Sequence, residues 1–354
     1  MPTANNPQRV LIVRLGAMGD VLHGLPVAAA LRCALPGTGV DWLIEERWAE
    51  MLCAPDAFRA GPVNEERPLV ERVHTVNTRK WRKNLTATET RLAFANVIRD
   101  LRDANYDAVL DVQGAWKSAI LARMACGKRV LGFAAPRERG AEWLYSKRVP
   151  TNARHVVEMN LALAEALTSL SVQEPSFALP RHAASESWVA QELASRKVRE
   201  FALLTPGAGW AAKQWPAERF GELARQLSAQ GIAPLINFGP GEQELASQVI
   251  AASGGTAQAI SCGLSQLIAL TRRARLFVGG DTGPTHLAAA LNVPVVALFG
   301  PTDPARNGPY SSRVSVLRNP GSTTSYQHVS TADPGLLSIT AEEVWSAARR
   351  LMEI

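Results

Sequence analysis

The sequence predicts an α/β protein built from two Rossmann-like domains, each an open parallel sheet with helices on its faces. Three observations carry this expectation. Short apolar runs alternate with helical patterns along the chain, as βαβ units require. The alternation breaks at a polar, proline-containing stretch, residues 171–186, and then restarts. The chain is 354 residues long, too long for one ordinary core and suited to two domains of common size. The domains are expected at 1–180 and 181–354, with the C-terminal helix free to pack back on the first.

The first strand is the apolar run at residues 10–13, closed by a turn containing Gly16 and Gly19. Glycines there let backbone approach a ligand or take positive φ. Asp20 follows, just before a helical pattern of Leu22, Val27, Ala30 and Leu31. It has two readings: a helix N-cap, or a base at the carboxyl edge of a strand, where open α/β sheets bind ligands. The glycine spacing lacks the G-x-G-x-x-G order of a dinucleotide fingerprint, which disfavours a plain dehydrogenase.

Helix 26–35 stops at Pro36-Gly37, and residues 40–44 form a second strand ending at Glu45 and Glu46, two acids that either contact a sugar or begin the next helix. Residues 73–76 form a third strand. Directly after it come Arg79, Lys80, Trp81, Arg82 and Lys83, four cations around an indole. Such a run is either a solvated loop or, at a strand end, a site where arginine forks take carboxylates and phosphates. Helix 92–101 leads to strand 106–111 and the turn Val112-Gln113-Gly114. Helix 116–125 leads to strand 130–133 and the charged segment from Pro136 to Gly140, which contains Arg137. Helix 155–170 closes the first domain.

In the second domain, strand 201–205 ends at Thr205 and runs into a Pro-Gly turn, with Lys213 before a helix opened by Trp215-Pro216. Strand 233–238 ends in a glycine turn carrying Glu242. Strand 275–279 runs into Gly280-Asp281-Thr282-Gly283-Pro284-Thr285-His286 and an apolar helix. Pro284 suits the first helical position. Free amides from Thr282 to Thr285 would then make an anion site for a pyrophosphate. Strand 293–299 is the last expected, followed by Gly300-Pro301-Thr302-Asp303-Pro304. Thr340 and Glu343 match a capping box for the terminal helix.

A hydrophobic share of 47% and a charged share of 20% are those of a soluble globular protein. The net charge of +6 favours anionic partners. Cys33, Cys53, Cys126 and Cys262 form no C-x-x-C pair and read as buried thiols of a reducing compartment. The histidines lack zinc spacing. No apolar leader or run of about 20 apolar residues is present, so a cytoplasmic protein is expected, able to rest on a membrane.

Two such domains facing across a cleft, with nucleotide-binding glycines in the second, describe the GT-B architecture. The motifs resemble one family within it, the ADP-heptose:lipopolysaccharide heptosyltransferases of glycosyltransferase family 9. Met18-Gly19-Asp20-Val21-Leu22-His23 is similar to that family's loop with its catalytic Asp. Asp281 to His286 and Gly300 to Pro304 are similar to its donor signatures. The basic pentad and Asp111-Val112-Gln113-Gly114 are most similar to members that act first, on Kdo of lipid A.

The resemblance implies an inverting transfer of L-glycero-D-manno-heptose from ADP-heptose to Kdo-lipid A, in assembly of the lipopolysaccharide inner core. It implies Asp20 as base, with Arg79, Arg82, Lys83, Arg137 and Gln113 meeting the acceptor. Lys213 would hold the diphosphate and Glu242 the ribose hydroxyls. Thr205, Asp281, Thr282, Gly283 and His286 complete the donor set. It implies no cofactor and no nucleic acid, and a peripheral place on the inner face of the inner membrane. No D-x-D pair is placed to hold Mg²⁺, so transfer without a metal is expected. The alternatives are another GT-B nucleotide-sugar transferase of the envelope, a later heptosyltransferase, or a binding protein without turnover.

Overall fold

Val10 to Val13 are wholly buried, which a strand achieves in a parallel sheet covered on both faces. The computed structural model describes residues 6–353 except 85, 126, 173, 326–330 and 332, and divides into two units, Met1–Arg181 and His182–Ile354. Among the described residues, the first unit has six strands: β1 (Arg9–Val13), β2 (Gly39–Glu45), β3 (Arg72–Val76), β4 (Ala108–Asp111), β5 (Arg129–Phe133) and β6 (Lys147–Val149). Their order is β3-β2-β1-β4-β5-β6, every neighbour parallel. The helices between them are α1 (Met18–Leu22), α2 (Leu25–Ala34), α3 (Thr78–Lys83), α4 (Thr88–Asp103), α5 (Trp116–Met124) and α6 (Val156–Thr168). Short 3₁₀ turns occupy Glu46–Met51 and Ala141–Leu144.

The second unit carries β7 (Phe201–Thr205), β8 (Ala233–Asn237), β9 (Gln258–Ile260), β10 (Leu276–Gly280), β11 (Val295–Phe299) and β12 (Val314–Arg318). Their order is β9-β8-β7-β10-β11-β12, again all parallel. Counted from its own first strand, this is the winding of the first unit. In both, the chain builds outward from the first strand and then returns to its other side. A crevice opens at that reversal, above the carboxyl ends of β1 and β4 and of β7 and β10.

The helices of the second unit are α7 (Ala183–Ser195), α8 (Ala217–Ala229), α9 (Gln243–Ala252), α10 (Leu264–Arg273), α11 (Gly283–Ala290), α12 (Pro304–Asn307), α13 (Pro334–Ser338) and α14 (Ala341–Met352). Several expectations are corrected. Strands β6, β9 and β12 escape the apolar-run reading because they are short or only half-buried: Lys147 and Arg148 are exposed, and no residue of β12 is fully buried. The basic pentad is a helix, α3, capped by the Asn77 side chain, which accepts from the Lys80 amide at 3.0 Å. The polar stretch at 171–186 yields to α7 at Ala183. Cys33 is exposed, Cys262 half-buried and only Cys53 buried; Cys126 lies outside the described residues.

Each unit has its own core. In the second, Trp215 meets Phe220 edge-on at 4.8 Å between ring centres, and its indole N–H donates to Ile339 O at 2.9 Å. Val344, Trp345, Ala347 and Ala348 of α14 belong to this same core, so the terminal helix packs on α8, β11 and β12. The capping box forms: Thr340 Oγ1 accepts from the Glu343 amide at 3.2 Å, and Glu343 Oε2 accepts from the Thr340 amide at 2.7 Å. Thr340→Ala removes the first of these and should destabilise the protein by about 1 kcal/mol, read as a lower urea midpoint with an unchanged m-value. An unchanged midpoint would show that water replaces the cap.

Candidate active site

At the end of β1 the chain places an arginine where the pattern asks for an apolar residue. Arg14 is buried, and a buried guanidinium needs partners. Its Nη1 donates to Val112 O at 2.5 Å and its Nη2 meets Asp20 Oδ1 at 2.7 Å. Asp20 is not the N-cap of α1. Ala17 is, and Asp20 sits three residues on, where its Oδ2 accepts the Ala17 amide at 3.0 Å. The carboxylate therefore closes the helix start and still has a third of its surface open, at 32% exposure. Gly16 adopts φ +156°, and a Cβ there would lie 2.8 Å from Trp48 Nε1, so only glycine fits the turn.

The neighbouring strand end is built around a second buried charge. Asp111 Oδ1 accepts from the Gln113 and Gly114 amides at 2.9 and 3.1 Å; Oδ2 accepts from Ser118 Oγ at 3.0 Å and Tyr145 OH at 2.7 Å. Burial pushes the Asp111 carboxyl up, against these four hydrogen bonds. They fix the turn that aims Gln113, whose Oε1 accepts from the Leu15 amide at 2.9 Å. The two loops of the crevice are thus tied together twice, through Arg14 and through Gln113.

A cavity of about 730 Å³ opens beside these loops. Asp20, Arg79, Arg82, Gln113 and Arg137 all line it, together with Arg47 and Lys117. Residues far apart in sequence are collected by the carboxyl ends of β1, β3, β4 and β5. Trp81 also lines it, edge-on to Phe94 at 5.5 Å. Burial first, and the Arg79 charge second, push the Arg47 guanidinium below its ordinary value. Cations crowded in this way favour an anionic guest. Glu45 also reaches the lining: as expected, it and Glu46 begin the next helical element, a 3₁₀ turn, and the Glu45 side chain accepts from Thr78. Lys83 is exposed and does not line the cavity.

In the second unit, Lys213 lies in a 3₁₀ turn after β7 and Asp281 follows β10. Lys213 Nζ meets Asp281 Oδ2 at 2.5 Å, Thr302 Oγ1 donates to the same oxygen at 2.8 Å, and His286 Nε2 lies 3.2 Å from Oδ1. Burial alone would raise the Asp281 carboxyl, but the His286 and Lys213 contacts prevail and hold it well below the usual range. Thr205 Oγ1 is buried at the end of β7 and has no hydrogen-bond partner among the described residues. Glu242 caps the turn before α9, accepting from the Gly239 amide at 2.7 Å. A Cβ at Gly207 would fall 2.1 Å from its Oε1, so the loops after β7 and β8 meet there.

The start of α11 differs from expectation. Thr282 is the N-cap, so Pro284 is the second helical residue and not the first. The Thr285 and His286 amides turn back to Thr282 O at 3.2 and 3.4 Å. Only Thr282 and Gly283 keep amides without a partner inside the helix, a narrower anion site than four residues would make. Among the described residues, no group of three or more His, Cys, Asp or Glu side chains is placed to hold a metal ion. Sequence reading missed Arg14 and Tyr145. The signal for Arg14 was present, a lone charge between buried Val13 and Leu15.

Two doubly wound units of this kind, each with its polar groups at the strand-order reversal, make up a fold of the GT-B type. The structure matches that of the E. coli heptosyltransferase WaaC with ADP, at a TM-score of 0.78 and 29% identity, covering 97% of this chain and 99% of that one. The chain belongs to glycosyltransferase family 9 (heptosyltransferase), whose signature spans residues 94–334. It is 32% identical to lipopolysaccharide heptosyltransferase 1 of Pseudomonas aeruginosa, over 85% of this chain and 81% of that protein. With the E. coli K12 lipopolysaccharide heptosyltransferase 1 it shares 31% identity, over 88% and 94% respectively.

The Asp281 pairing sets a dependence on pH. A carboxyl held low in the folded state stabilises fully above its unfolded value and loses that contribution as pH falls below about 4. Asp281→Asn should cost roughly 3 kcal/mol at neutral pH, because Lys213, largely shielded from water, loses its counter-charge. The gap between wild type and variant should narrow in acid, as read by urea midpoints across pH. A gap independent of pH would mean that packing, not charge, accounts for the loss.

Proposed function

We propose that the chain transfers L-glycero-D-manno-heptose from ADP-heptose to a Kdo hydroxyl of Kdo-lipid A, with inversion, at the cytoplasmic face of the inner membrane. The carrying observation is the cavity of the first unit, whose lining brings the partly open Asp20 carboxylate together with Arg79, Arg82 and Arg137. An acceptor rich in carboxylates and phosphates suits that lining, and a neutral sugar leaves it unpaired. The names of the relatives point the same way, as does the match, at 29% identity and a TM-score of 0.76, to WaaC with ADP-2-deoxy-2-fluoro heptose.

In this reading the arginines hold the acceptor, and Gln113 orients it with the amide hydrogens that Leu15 leaves free. Asp20 takes the proton of the attacking hydroxyl. The oxygen bonds to the anomeric carbon as the bond from that carbon to the ADP oxygen breaks. Lys213 and the amides of Thr282 and Gly283 carry the charge that develops on ADP. Asp281, with His286 and Thr302 on it, holds Lys213 in place. Glu242 accepts from the ribose hydroxyls, and the unpaired Thr205 hydroxyl faces the same strand end. Lys83, outside the cavity, meets outlying phosphates of lipid A.

Asp20→Asn should lower kcat about a hundredfold or more, within the range for loss of a general base, with ADP affinity by calorimetry unchanged. Near-normal turnover would leave Asp20 as a helix-closing residue only. Arg82→Ala should raise the acceptor KM roughly tenfold, the size of one charge-assisted contact partly shielded from water. Replacing Arg79, Arg82 and Lys83 together should nearly abolish transfer and flatten its dependence on salt. Wild-type acceptor kinetics in the triple variant would remove α3 from the acceptor site.

A further inference from the structure

Beside the cavity, the first unit exposes three large apolar side chains. Trp116 and Ile120 lie one turn apart on α5, 41% and 44% exposed, and Trp143 is 73% exposed. Ile120 lines the cavity itself, so the patch reaches the cavity mouth. The Trp116 ring lies against Gly140, where a Cβ would fall 2.5 Å from it. Trp143 stands three residues after Gly140, in the 3₁₀ turn that packs against α5. The three exposed side chains thus come from two elements in contact, one of which reaches the cavity through Ile120.

Lys117, Arg137 and Arg139 flank these side chains, all exposed, and none is ion-paired among the described residues. The nearest acids are occupied by backbone. Glu138 accepts from the Trp116 amide at 2.8 Å and Glu142 from the Gly140 amide at 2.7 Å. Indoles favour the boundary between water and hydrocarbon, and unpaired cations favour anionic headgroups. Three side chains are too few for a stable protein interface, which buries about 800 Å² on each partner. Among the described residues no helix is long and apolar enough to cross a membrane, so bilayer contact would be made from the surface.

We propose that Trp116, Ile120 and Trp143, with Lys117, Arg137 and Arg139, form a docking ridge for an anionic bilayer surface and hold the cavity mouth at the headgroups. This deepens the proposed function and rests on its lipid-anchored acceptor. Docking restricts the search for that acceptor to the membrane plane, and the cationic lining then draws its sugar end out of the headgroup layer.

The full chain should float with phosphatidylglycerol-containing vesicles at low salt and not with pure phosphatidylcholine. Trp143→Ser should weaken that binding roughly tenfold. Arg139→Gln should weaken it about fivefold and lessen its salt dependence. Neither residue lines the cavity, so kcat on a water-soluble, delipidated Kdo acceptor should stay at the wild-type value in both variants, while transfer to acceptor embedded in vesicles falls. Wild-type vesicle binding by both variants overturns the proposal, as does wild-type protein that fails to float. A ridge that instead joins two copies would show as a dimer in sedimentation, converted to monomer by Trp143→Ser, and also overturns it. If the wild type floats but transfers nothing to either Kdo acceptor, the function reading fails while the docking ridge stands.

Discussion

Right-handed crossovers leave an open parallel sheet one natural place for a crevice, the point where the winding reverses. The residues at the centre of each candidate site are placed by that constraint, and the flanking strands β3, β5 and β8 add others at the same end of the sheet. In the first unit it separates the loops after β1 and β4, so Asp20 and Gln113 face the same space. In the second it separates the loops after β7 and β10, which brings Lys213 to Asp281. No sequence repeat relates the halves, yet both put their polar residues at the same topological address.

Holding those loops requires buried charge, and each buried charge has a stated partner. Arg14 is neutralised by Asp20, Lys213 by Asp281, and Asp111 is surrounded by four donors. Burying ions is unfavourable, and such pairs add little to stability compared with apolar packing. What they supply here is position. A carboxylate clamped by an arginine on one oxygen and a helix amide on the other has little freedom to turn away from a bound hydroxyl.

The central strands were legible because residues buried on both faces must be apolar without interruption, as in β1, β7, β10 and β11. Edge strands carry less of that signal, since one side meets water: β6 and β12 went unread, although β3, with Val73 and Val76 buried at the other edge, did not. Asp20 stood out in the sequence as an acid at the end of the first strand, whereas Lys213, Asp281 and His286 were singled out through the resemblance to family 9. The company they keep was not. Arg137 joins Arg79 and Arg82 in one cavity only because β5 ends beside β4, a juxtaposition that strand order creates and local sequence does not encode. Lys83 shows the converse. It is adjacent in sequence to the cavity's cations, but the turn of α3 carries it outside the lining.

The Leu15–Gln113 hydrogen bond has a consequence for selectivity. With Oε1 taken by that amide, Gln113 offers a guest only its N–H hydrogens. Arginines and lysines of the lining likewise only donate. Of the three carboxylates there, Glu45 and Glu138 each have one oxygen engaged, by Thr78 and by the Trp116 amide, and Asp20 has both, by Arg14 and the Ala17 amide. The wall is thus polarised in the direction of its hydrogen bonds: donors outnumber acceptors around it, and its few accepting oxygens are already partly taken. A guest satisfies it by pointing accepting oxygens outward on most sides, so the lining sorts guests by their donor and acceptor pattern before any bond changes.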